Sequence, residues 1–104
     1  MINPKQAVKL NKRKLALNIV RISGILIGQI DEVLADEIDS LIERKPQEFS
    51  MRQFADAYLE NKDRIIFHKN RLAITQDIEK KYNNNGWDAL IIAESDIVMS
   101  IKIA

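Results

Sequence analysis

The sequence predicts an α+β fold, mostly helical, with about four helices followed by a C-terminal antiparallel β-hairpin. Three observations predict it. Apolar residues recur at three-, four- and seven-residue steps through most of the chain, which is the helical period. The run Asn83-Asn84-Asn85-Gly86 then breaks that period with turn-forming residues. Beyond it the period becomes two. With Glu94-Ser95-Asp96 as a three-residue loop, Trp87, Ala89, Ile91 and Ala93 fall opposite Ile103, Ile101, Met99 and Ile97, and Asp88 meets Lys102. One face of this hairpin is wholly apolar. A lone hairpin is marginal in water, so that face is expected to lie on helices or on another subunit.

The 104 residues, 46% of them apolar, read as a single domain with one core. Within it, 1–23 is a basic helical segment, 29–83 a helical core and 87–104 the hairpin. Val8, Leu15, Ile19, Ile22 and Leu26 mark a first helix over 5–22, with Pro4 at a tolerated first-turn position. Gly24 and Gly28 are expected to end or bend it, since each weakens a helix by about 1 kcal/mol relative to alanine. The alternative is one continuous helix whose two glycines form a flat patch for another backbone.

A second helix is expected over 29–45. Ile30, Val33, Leu34, Ile38, Leu41 and Ile42 form its apolar stripe, acids fill the rest, and Pro46 stops it. Ser50 and Gln53 then make a capping box, flanked by Phe49 and Phe54 as a hydrophobic staple. They start a helix over 51–60 with Phe54, Tyr58 and Leu59 facing inward. Asn61-Lys62-Asp63 is a joint. Helical pattern then resumes to Tyr82, with Leu72, Ile74, Ile78 and Tyr82 on the apolar side. The segment 64–68, RIIFH, reads either as part of this helix or as a third strand beside the hairpin. The asparagine–glycine run supplies a left-handed helix cap.

The chain lacks cysteine, which removes disulfides, thiolate nucleophiles and thiolate metal sites. No signal peptide is visible at the start, and no stretch is long and apolar enough to span a bilayer, so a cytoplasmic protein with no membrane partner is expected. His68 is the lone histidine, and Asp63 lies too far round a helix to pair with it. It reads as structural. Glu32, Asp36, Asp39 and Glu43 share one helix face with no histidine among them, and read as a solvated acidic surface rather than a metal site. Trp87 reads as a core anchor closing helix onto sheet. No glycine-rich phosphate loop is present. Neither a catalytic residue, a metal ligand nor a cofactor is expected.

Charge is segregated. Residues 1–23 carry six bases and no acid, 24–60 carry nine acids and three bases, and 61–83 carry six bases and three acids. Such segregation suits either halves that complement one another across an interface or a basic surface for a polyanion. The first reading expects self-association or another protein partner. Two antiparallel copies would bury Ile19, Ile22, Leu26, Val33 and Ile38, and Lys9, Lys12 and Arg13 are expected to meet acids such as Asp36, Glu37 and Glu43 of another copy or of the next helix. The second expects nucleic acid, with Lys5, Lys9, Lys12, Arg13, Lys69 and Arg71 as candidate phosphate ligands. A helix followed by a hairpin matches the order of a winged helix. Against that order, the Glu94-Ser95-Asp96 turn is acidic, and Asp77 and Glu79 stand where bases would be wanted.

The ending Ile78-Glu79-Lys80-Lys81-Tyr82-Asn83-Asn84-Asn85-Gly86-Trp87, with the hairpin after it, resembles the close of many small bacteriophage-encoded proteins. In those a helix of the form Ile-x-x-x-Tyr runs into Gly-Trp and a β-hairpin. The resemblance implies a viral accessory or structural protein, in the host cytoplasm or the virion, and carries over no site residues.

Overall fold

The first helix does not stop at its glycines. Pro4–Asp36 forms one 33-residue helix, α1, through both Gly24 and Gly28. This overturns the expected break and joins the basic segment to the helical core. The reason is burial. Ile22, Leu26, Ile30 and Leu34, at four-residue steps, are all buried. Each such side chain contributes about 1.5–3 kcal/mol, against about 1 kcal/mol lost per glycine. Among the described residues no backbone approaches the glycines, since a Cβ at either would meet nothing within 4 Å.

The computed structural model describes residues 1–36, 45–95 and 99–104. After α1 come β1 (Gln47–Ser50), α2 (Met51–Tyr58), α3 (Asn61–Lys69), α4 (Arg71–Asn84), β2 (Ala89–Ala93) and β3 (Met99–Ile103). The fold is thus α+β and mostly helical, with a C-terminal hairpin. The end of the expected 29–45 helix, with Ile38, Leu41 and Ile42, lies outside the described residues.

Helix α2 begins as its sequence requires. The Gln53 amide donates to Ser50 Oγ at 3.4 Å, and Phe49 meets Phe54 edge to face at 5.5 Å between ring centroids. Leu59 is buried, but Tyr58 is 47% exposed rather than inward. Leu72 likewise points to solvent, while Ile74, Ile78 and Tyr82 enter the core. The segment 64–68 is helical, within α3.

Helix α4 ends where the asparagine run predicts. Gly86 takes φ +88°, and the Trp87 amide donates to the Tyr82 carbonyl at 3.1 Å. Trp87 is half-buried and stands edge to face on Tyr82 at 6.2 Å. It serves as the expected anchor of helix to sheet.

Among the described residues the sheet has three strands in the order β1-β3-β2, all antiparallel. The third strand is 47–50, not 64–68. The hairpin register is shifted by two residues from the expected one: Ala89 pairs with Ile103, Ile91 with Ile101 and Ala93 with Met99. Asp88 exchanges backbone hydrogen bonds with Ala104, not Lys102. A shift of two keeps the faces, because side chains alternate with period two. Phe49, Ile101 and Ile91 therefore form one row on the core side. Lys102 lies between Glu48 and Leu90 on the solvent side. Helix α1 packs chiefly on α4, with α2 and α3 beside it.

Candidate functional site

Among the described residues, it is the C-terminal half of α1 that packs on the body of the protein. From Met1 to Leu17 every residue except Ala7 is exposed, and the first buried one is Ile22. The molecule measures 58 × 25 × 23 Å, its long axis drawn out by a helix about 50 Å long. The projecting half carries exposed apolar side chains: Leu17 at 71%, Val8 at 54% and Leu10 at 43%, with Val20 at 52% where the arm meets the body. An isolated helix of this size is marginal in water, so an arm of this composition gains stability by docking.

The stripe expected to face a partner is the wrong one. Ile22 and Leu26 are fully buried in the chain's own core, and Ile19 and Val33 pack against it half-buried. Ile38 lies outside the described residues. Sequence periodicity shows that a stripe seeks cover but not whether α4 or a second chain provides it.

Among the polar ties between elements are four that local sequence pattern does not announce. Arg21 on α1 donates twice to Asp63 in the first turn of α3, at 2.7 and 2.8 Å. The Arg21 hydrogen bonds hold the Asp63 carboxyl below its usual range, while the same pairing raises Arg21. The buried Tyr82 hydroxyl donates to Asp31 at 2.7 Å and lies 3.3 Å from the Ile27 carbonyl. Burial, then the Asp31 hydrogen bond, pushes its pKa well up, so it stays protonated.

The third and fourth ties close the β2 edge. The Asn83 side chain accepts from the Ala89 amide at 2.8 Å and donates to the Ala89 carbonyl at 3.1 Å. One turn earlier, Glu79 accepts from the Ile91 amide at 2.8 Å. Two side chains of α4 thus occupy edge groups that would otherwise invite another strand. Arg21–Asp63 and Tyr82–Asp31 join residues 42 and 51 positions apart, and such pairing leaves no signal in the local pattern.

The six candidate phosphate ligands form two separate groups. Lys5, Lys9, Lys12 and Arg13 are exposed on the α1 arm, and none is ion-paired among the described residues. Lys69 and Arg71 lie at the α3–α4 joint, lining an open cleft of about 460 Å³ with His68, Leu72, Ala93, Ser95 and Met99. None of the described cavities is lined by both groups. His68 is held between Asp56, 3.5 Å from Nε2, and Arg71, 3.3 Å from Nδ1. Arg71 can only donate, so Nδ1 is the acceptor and the proton sits on Nε2 toward Asp56.

Glu32 and Asp36 are exposed, while Asp39 and Glu43 lie outside the described residues. Among the described residues no three His, Asp or Glu side chains are grouped as metal ligands. No described helix is long and apolar enough to cross a membrane. Comparison with protein-family models, with curated proteins and with solved structures yields no match.

Proposed function

We propose that this is a non-enzymatic assembly or protein-interaction protein that associates with itself through the α1 arm. One observation carries the reading: a helix that anchors its C-terminal half in the core extends its other half, with Val8, Leu10 and Leu17, into solvent. The polar pairs described above support a scaffold role. Arg21–Asp63, Tyr82–Asp31 and the Asn83 and Glu79 contacts are each engaged in holding one element to another. The likeness of the Ile78–Trp87 ending to phage-encoded proteins implies a viral accessory or structural role, which a small self-associating scaffold would suit. Sedimentation equilibrium over a wide concentration range tests the reading. A mass that rises with concentration is expected, and a strict monomer at high concentration overturns it.

The unpaired bases of the arm favour a second reading, a nucleic-acid-binding regulator. Lys5, Lys9, Lys12 and Arg13 would grip phosphates, and the Lys69–Arg71 cleft would form a separate contact. Such binding weakens steeply with salt as counterions are released. A mobility shift at low salt that vanishes at high salt is its signature, and no shift at low salt ends it.

A further inference from the structure

The face of α1 that points away from the core carries two interleaved series at seven-residue steps. One is Leu10, Leu17, Gly24, Asp31, and the other is Lys14, Arg21, Gly28, Ala35. All eight residues are exposed, and the two series are offset by four, the spacing of a helix–helix seam. The seam is polarised along its length. Its first half is large and basic, and its second half is small and acidic.

We infer that the occupant of this seam is the same seam of a second copy, packed antiparallel about a two-fold axis midway between Ile22 and Ser23. The inference rests on the self-association proposed above and names its geometry. About that axis Leu10 meets Ala35 of the other copy, Leu17 meets Gly28, Lys14 meets Asp31 and the stem of Arg21 crosses Gly24. Every layer then sets a large residue on a small one or a base on an acid. The open space above both glycines, where a Cβ would meet nothing within 4 Å, is the room that Leu17 and Arg21 need. Asp31 already accepts from Tyr82 through Oδ1, which orients its carboxylate and leaves Oδ2 for Lys14. The contact is isologous, so each layer occurs twice.

A parallel pairing fails on the same residues. It would set Lys14 on Lys14, Arg21 on Arg21 and Asp31 on Asp31, and would leave the glycines facing each other across a void. The antiparallel arrangement is therefore selected by both charge and volume.

The chain has no cysteine, so introduced thiols report the pairing cleanly. Full-length Leu10→Cys and Ala35→Cys chains are mixed in equal amounts and oxidised. In the antiparallel dimer two copies of residue 10 lie about 37 Å apart, at 1.5 Å per residue, while a disulfide needs Cα atoms within about 7 Å. The mixed disulfide is expected to form and each variant alone to remain uncrosslinked. In parallel, Leu17→Lys is expected to weaken self-association roughly tenfold or more without changing the helical content. A disulfide between two Leu10→Cys chains, or a Leu17→Lys chain that associates like the parent, overturns this geometry even where sedimentation still shows an oligomer. A chain that sediments as a monomer overturns both this geometry and self-association itself.

Discussion

Arg21 and Asp63, 42 residues apart, meet through two parallel hydrogen bonds that pin α1 to the start of α3. Asp63 is nearly buried, and its position in the first turn of α3 also sets a negative charge at the positive end of that helix. The Arg21 side chain is 47% exposed, so solvent screening limits the pair to about 1 kcal/mol. Because the folded pKa of Asp63 lies below its unfolded value, the stabilisation is complete above about pH 4 and is lost as pH falls through the folded value. The thermal midpoint should therefore fall between pH 6 and pH 2.5 more steeply in the parent than in Asp63→Asn. Identical slopes would show that the pair contributes nothing.

Gly24 and Gly28 sit inside a helix with open space where a Cβ would go. Alanine at either position should raise the monomer's stability by about 0.5–1 kcal/mol, read by thermal unfolding at concentrations too low for association. A loss instead would place a neighbouring group against the glycine.

Ile101 is fully buried between Phe49 and Ile91, whereas Lys102 faces solvent. Ile101→Asp should unfold the protein or destabilise it by several kcal/mol, because it places a charge in the core with no partner. Lys102→Thr should change stability by less than about 0.5 kcal/mol. Circular dichroism of the two variants compares them directly, and equal damage would refute the face assignment of β3.

Asn83 satisfies both backbone groups of Ala89 with one side chain. Asn83→Ala should cost about 1–2 kcal/mol in urea unfolding and should speed amide exchange at Ala89 more than at Ile101. Asn83→Asp keeps the acceptor but sets a carboxylate oxygen against the Ala89 carbonyl, so it should protect the Ala89 amide better than Asn83→Ala without recovering the parent's stability. An Ala89 amide equally protected in all three chains would mean that the β2 edge is held by the ladder alone.

The sequence by itself determined what depends on neighbours along the chain. Ser50 and Gln53 announce a helix start, Asn83–Gly86 announce a helix end, and period two in 89–103 assigns the faces of the hairpin, because caps, turns and pleats are local. It also placed the inward residues Ile74, Ile78 and Tyr82 by period alone. What it left open depends on partners brought in from afar. The strand β1 is short and polar at three of its four positions, and it forms because Phe49 docks beside Ile101. The β2–β3 register follows from where α4 delivers Ala89, so a three-residue loop estimate misplaces it by one pleat repeat. Helix α1 runs on past two glycines because the body buries the stripe from Ile22 to Leu34. That same burial leaves the opposite face of α1, from Leu10 to Ala35, exposed, with Arg21 and Asp31 on it tied to Asp63 and Tyr82. Periodicity identifies stripes, but only packing decides which stripe is spent inside the chain.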